Sequence, residues 1–265
     1  LIQRWHGQAE GRIRVGMMFP IHYPNLNPIG PTELQDLKVR SQAARDLTRK
    51  YGLLFSQDGH SRGTVKFAYE NLDTLGPDAL LSHSTNLTAE EIAICKQTDT
   101  KIVHNPSAVM SMTGRCPVPE LLDAGVTVML GSDGVSPDRS YDMFRHMFQC
   151  TRYHRRHYRD PSYLPAGKVL EMVTIDAARA LGLENDIGSL EGGKKADLIL
   201  VDMAKPHLYP LNMHAHRIAY FANGSDVDTV IIDGRILMEG RQMTTVDEEE
   251  VLDLAQEETE RMLDR

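Results

Sequence analysis

The sequence predicts an α/β fold built on a parallel sheet, followed by a small β unit and a terminal helix. Two observations carry this. From residue 12 to 160 short apolar runs alternate with amphipathic helical stretches, five times over, which is the pattern of βα units. Past Gly188 the texture changes to turns and strands, so a second structural region is expected. The boundaries expected are 1–183 for the α/β part, 184–245 for the β unit and 246–265 for a C-terminal helix.

The first strand is expected over Arg12–Phe19, ending at Pro20. After a loop rich in Pro and Asn, Thr32-Glu-Leu-Gln reads as a capping box, and its helix runs to Lys50, with Gly52 as the stop. The second strand is Leu53–Ser56, the third Ala79–His83 and the fourth Lys101–His104, where Asn105-Pro106 cannot continue a central strand. Helices are expected at Thr64–Leu75, after the capping box Thr88-Ala-Glu-Glu91, and at Val118–Ala124. The fifth strand, Val126-Thr-Val-Met-Leu130, delivers Asp133 inside Gly131-Ser-Asp-Gly134. Tyr141–Tyr158 and Ala166–Leu183 read as helices, and Asp233-Gly234 as the turn of a hairpin. The tail from Val246 is an acidic amphipathic helix suited to packing or solubility.

At 265 residues the chain is long enough for a large buried core. A formal charge of −8, spread along the chain, argues against binding nucleic acid and for a small-molecule partner. Three widely spaced cysteines, Cys95, Cys116 and Cys150, give no disulfide framework or paired metal knuckle, and read as core or surface thiols in a reducing cytoplasm. No run of about 18 apolar residues suggests a membrane span. On that ground the chain is expected to be soluble, and because its first residue is Leu it is expected to be processed or cut from something longer.

In parallel α/β sheets, chemistry gathers at the carboxyl ends of the strands. Four successive strands here end in polar groups: Ser56-Gln-Asp-Gly-His60, His83, His104-Asn105 and Asp133. Packing alone does not explain that, because buried polar groups are costly without partners. For any one histidine a structural, hydrogen-bonded role is an even alternative; the set points to a site.

The segments SHSTNLTAEEI (82–92), VHNPSAVMSMTGRCPVPELLDAGVTVMLGSDG (103–134), TIDAARALGL (174–183) and IGSLEGGKKADLILVD (187–202) resemble, in the same order, the amidohydrolase superfamily. Within it the similarity is to the branch of cytosine, guanine and methylthioadenosine/S-adenosylhomocysteine deaminases and triazine hydrolases. The resemblance implies a (β/α)8 barrel, represented here by about its fourth to eighth strands, with a small β-sandwich. It also implies hydrolysis of a cyclic C–N bond on a purine, pterin, pyrimidine or triazine-like ring by metal-bound hydroxide, with zinc the expected metal and iron the second candidate. Asp133 matches the family's eighth-strand aspartate, which ligates the metal and takes a proton, and His83 the sixth-strand histidine, which polarises the substrate. His104 and Asn105 fall in the family's seventh-strand loop, with a supporting role at the substrate. The loop 135–141, containing Ser136, is placed to close over the ring.

Two departures stand out. The family's fifth strand carries His-x-x-Glu, and aligning Ser61-Arg62 behind it puts Gln57 at the metal ligand and His60 at the proton-shuttling glutamate. An amide oxygen is a weak ligand for zinc, whereas a histidine titrating near neutrality can still serve as acid or base. An offset of one residue would put Ser56 and Gly59 there instead. The first three strands with their His-x-His pair are also absent, so the chain is expected to be part of a longer protein or completed by a partner or a second copy. His214-Ala-His216 is not taken as that pair, because it precedes the second β unit. His154 and His157, in a basic helical run, read as a solvated face. The competing reading is a catalytically silent homologue kept as a subunit or binding module.

Overall fold

In the computed structural model, which describes residues 1–109, 114–134 and 140–264, five parallel strands form one sheet in chain order. They are β1 (Met17–Met18), β2 (Phe55–Gln57), β3 (Ala79–Ser82), β4 (Lys101–His104) and β5 (Val128–Leu130). The helices on this half are α1 (Ile2–Trp5), α2 (Pro31–Tyr51), α3 (Thr64–Asn71), α4 (Ala89–Gln97), the short turn α5 (Pro106–Ala108), α6 (Val118–Asp123), α7 (Met143–Tyr158), α8 (Ala166–Val173) and α9 (Ile175–Ala180).

The expected strands appear in the expected order: β4 has the span expected, β1, β3 and β5 are shorter, and β2 is shifted to end at Gln57. β1 is reduced to two residues because the segment before it bonds back to the N-terminus: Gly7 N donates to Ile13 O and Val15 N to His6 Nδ1. At α2 the N-cap is Gly30, not Thr32; Pro31 takes the first helical position and Glu33 Oε2 accepts the Gly30 amide at 3.1 Å. Gly52 ends that helix at φ 61°, as expected. The single helix expected over Ala166–Leu183 is two, broken at Thr174 (φ −125°, ψ −97°). Asp176 opens the second, buried and bonded by Lys168 at 2.6 Å and Arg179 at 2.9 Å.

The second unit is a four-stranded antiparallel sheet, β6 (Leu198–Val201), β7 (Val227–Ile232), β8 (Arg235–Glu239) and β9 (Gln242–Met243). A β-sandwich was expected; among the described residues there is one antiparallel sheet, and Leu200, Ile232 and Ile236 on it remain exposed. Asp233 (φ 51°) and Gly234 (φ 75°) make the expected hairpin turn between β7 and β8. The helix α10 (His214–Tyr220) packs on α7 and α8, and α11 (Glu248–Leu263) has no buried residue. No helix among the described residues is long and apolar enough to cross a membrane.

Register assigns the faces of the parallel sheet. Leu81, Ile102 and Val128 form one row, fully buried in the main core with Leu121, Met147 and Val169 from the helices. Alternate residues turn the other way: Leu80 and Met129 make a small separate cluster with Val103 and Ala180. His104 lies two residues beyond Ile102 and so shares the helix-packed face.

Candidate active site

His83 follows β3 and Asp133 follows β5, and both adopt the left-handed conformation, at φ 64° and 60°. Non-glycine residues pay about 1 kcal/mol or more for that conformation, which concentrates at functional sites. It brings the two side chains together across the carboxyl end of the sheet: His83 Nε2 is 3.7 Å from Asp133 Oδ2. The same nitrogen lies 3.1 Å from Asp58 Oδ1, while His83 Nδ1 is buried with no hydrogen-bond partner among the described residues. A neutral His83 therefore carries its proton on Nε2, toward the carboxylates, and keeps a bare lone pair on Nδ1. Asp133 Oδ1 accepts the Gly134 amide at 2.5 Å. Asp58 was not singled out from the sequence; its signal was its place in Gln-Asp-Gly-His at the end of a strand.

The loop carrying Asp58 is held from three sides. His60 N donates to Ser82 O and Thr85 N to His60 O, extending the pairing of β2 and β3 past their ends. Tyr23 donates its hydroxyl to Gly59 O at 3.0 Å. Glu91, buried on α4, spans two helices: Oε1 accepts from Gly63 N (2.8 Å) and Val65 N (3.2 Å) at the start of α3, and Oε2 from Thr88 N at 3.1 Å. The capping box read at Thr88 is thus present, and its glutamate also fixes the neighbouring helix.

Gln57 and His60 form a separate, fully buried pair. Gln57 shares a register row with Leu81, on the helix-packed face, whereas Ser56 shares its row with Leu80. The Gln57 Oε1 is 3.3 Å from His60 Nε2, and His60 Nδ1 is 2.8 Å from Thr64 Oγ1. Burial pushes His60 down to about 3, which corrects the expectation that it titrates near neutrality: at pH 7 it is a neutral imidazole with no proton to spare as an acid.

Asn105 Nδ2 donates to Ser82 Oγ at 2.8 Å, tying the end of β4 to that of β3. His104 turns instead into the helix layer, its ring 5.5 Å from that of His154. This overturns the solvated reading of the α7 histidines in part: His154 is fully buried and His157 is exposed. Ser136 lies outside the described residues. A cleft of about 790 Å³ opens at the opposite, amino end of the strands, among Arg14, Arg49, Asp78 and Lys101, and none of the candidate residues lines it.

At the rim a metal would find Asp133 and His83, with Asp58 beyond. Gln57 offers its oxygen to His60, not to the rim. The described residues bring no three donors together there; their one three-donor cluster is His104, Cys150 and His154. The described residues of this chain alone therefore do not complete a metal site at the rim.

Residues 46–237 match the amidohydrolase family. The chain is 37% identical to the 5-methylthioadenosine/S-adenosylhomocysteine deaminase of Moorella thermoacetica, over 95% of this chain and 59% of that protein. It is 35% identical to the 5'-deoxyadenosine deaminase of Methanosarcina acetivorans, over 100% of this chain and 61% of that protein. The chain thus spans about 60% of the length of these relatives. Among solved structures, a zinc-bound adenosine deaminase from Xanthomonas campestris superposes with a TM-score of 0.81 at 25% identity, over 86% of this chain and 55% of that one. An atrazine chlorohydrolase from Arthrobacter aurescens superposes at 0.78 and 21% identity, over 96% of this chain and 56% of that one, a likeness of fold.

Proposed function

We propose, from the premise that this chain belongs to the amidohydrolase family, that it carries part of the active site of a hydrolytic deaminase acting on an adenosine-type heterocycle. The observation that carries the reading is the approach of His83 Nε2 to Asp133 Oδ2 at 3.7 Å, made by two strained residues at the ends of different strands. The identity of 35 to 37% with deaminases of adenosine-type substrates supports the substrate class. We read β1 to β5 as the fourth to eighth strands of a (β/α)8 barrel, a reading supported by their sequential parallel order and by the superposition on the deaminase.

Deamination adds water at the ring carbon bearing the amino group and expels ammonia, leaving a carbonyl. Asp133 takes a proton from that water and returns it to the departing nitrogen; its second oxygen, held by the Gly134 amide, keeps the carboxylate aimed. The His83 Nε2–H, which faces Asp58 at 3.1 Å, turns to the substrate and donates to the charge that develops on the ring. Zinc, the metal bound in the similar deaminase, would take Asp133 as a ligand, and when bound it lowers the pKa of water toward neutrality. His60, held neutral, positions the loop of Asp58 through Thr64.

A second reading has its own observation. With Gln57 engaged by His60 and no carboxylate at the shuttle position, the chain lacks two of the family's expected fifth-strand groups, which supports a catalytically silent homologue. Ammonia release from adenosine, 5'-deoxyadenosine, 5-methylthioadenosine and S-adenosylhomocysteine by the purified full-length protein, with its zinc content measured, separates the two. Turnover of any of these with about one zinc per chain is expected; zinc-loaded protein inert to all four would leave only the silent reading.

A further inference from the structure

We infer that His104, Cys150 and His154 form a metal site on the helix side of the sheet, selective for a monovalent thiophilic cation of the Cu⁺ type. The three side chains come from two rigid elements. His104 ends β4, and Cys150 and His154 lie one turn apart on α7, so both face the strand. One ligand atom from each lies within 4.8 Å of the other two, and all three residues are fully buried.

Hydrogen bonding leaves the cluster unsatisfied. Neither nitrogen of His104 and neither nitrogen of His154 has a partner among the described residues, where each buried unpaired group costs roughly 1–3 kcal/mol. Two other fully buried imidazoles are satisfied: His60 is bonded through both nitrogens, and His146 through Ser107 and Ser140. Burial, and after it the nearby His154, holds His104 far below the usual imidazole range; burial, and after it Arg115, holds His154 at about 3. Both are neutral and present lone pairs, the form a metal requires.

The choice of cation follows from charge. A thiol and two neutral imidazoles carry no net charge, and a thiolate and two imidazoles with Cu⁺ carry none either. When Cu⁺ binds, the thiol releases its proton to solvent and the S–Cu bond takes its place; the buried charge is unchanged and no electron moves. Zn²⁺ would leave a net positive charge in a cluster that contains no carboxylate, at a desolvation cost. Two imidazoles and a thiolate are also a soft set suited to Cu⁺. Metal–ligand bonds of about 2.0–2.3 Å put donors roughly 3.5–4 Å apart, a spacing compatible with three ligand atoms that all lie within 4.8 Å of one another.

The test is anaerobic titration of the reduced, purified full-length protein with Cu⁺ in competition with a chromogenic chelator. Wild type and Asp133→Asn are expected to take up one equivalent that Cys150→Ser and His154→Gln do not. X-ray absorption of the loaded wild type should show one sulfur and two nitrogens. Cys150→Ala replaces the serine variant if that one loses its circular dichroism. Equal uptake by wild type and folded Cys150 and His154 variants overturns the site, and displacement of Cu⁺ from it by equimolar Zn²⁺ overturns the selectivity. Neither result bears on the deaminase reading, which concerns His83 and Asp133.

Discussion

His83 Nε2 stands 3.7 Å from Asp133 Oδ2 although the two residues close strands separated by β4, and each reaches the other from a left-handed backbone. Aspartate and histidine tolerate that conformation better than most side chains, yet it still costs more than in glycine. The surrounding pairing has to hold it, and His83 N does donate to Val103 O of the intervening strand at 3.0 Å.

Because the pair acts on one substrate, its members should be non-additive. Asp133→Asn and His83→Gln are each expected to lower kcat for ammonia release by about 10²–10⁴, and the double variant by little more than the worse single one. Steady-state kinetics on the full-length protein measures this. Fully multiplicative losses would mean the two residues act independently.

Glu91 joins the N-termini of α3 and α4 through separate carboxylate oxygens. Replacing it with Ala strands several buried amides and is expected to cost about 2–4 kcal/mol of stability, read as a fall in the urea midpoint. Glu91→Gln keeps one acceptor and should cost less than half as much. A loss under 0.5 kcal/mol for Glu91→Ala, on the order of a surface change, would show that water replaces the carboxylate.

His60 and His154 are both held at about 3 in the fold, against about 6.5 in an unfolded chain. Below 6.5 the unfolded state therefore binds more protons, and stability present at pH 7 is lost as pH falls toward 3. Each histidine contributes a slope approaching 1.4 kcal/mol per pH unit. Urea midpoints between pH 6.5 and 5, where most carboxylates stay ionised, should fall steadily. The slope should flatten in His60→Asn. A midpoint independent of pH across that window would contradict the burial assigned to both.

The sequence revealed the strands and the rim because both rest on local rules. Apolar runs such as Val126–Leu130 and the box at Thr88 and Glu91 carry their period and their caps within a few residues. What it hid depends on register. Gln57 and Ser56 differ by one position, and pairing with Leu81 or Leu80 decides which faces the helices. His154 looked solvated beside Arg155, Arg156 and His157, since only the approach of β4 to α7 identifies the one histidine in the run that buries. The partnership of Asp58 with His83 likewise depends on groups distant in the chain.

Gly131 separates β5 from Ser132 and Asp133, and its backbone does not need glycine's conformational freedom: its φ is not in the left-handed range. Space is the reason for the glycine. A Cβ there would fall on Asn105 Oδ1 and lie 3.0 Å from Val103 Cγ1. Asn105 cannot retreat freely, because its Nδ2 is bonded to Ser82 Oγ beside His83. Gly131→Ala is therefore expected to break the Asn105–Ser82 bond and displace the His83 end of the rim. Stability should fall by about 1–3 kcal/mol and kcat by about 10-fold or more. Gly134→Ala meets no atom of the described residues within 4 Å and has no positive φ, so it should leave both nearly unchanged. Asn105→Ala in the Gly131→Ala background removes the clash and should recover stability without recovering kcat. Recovery of kcat in that double variant would show that Asn105 does not position the rim.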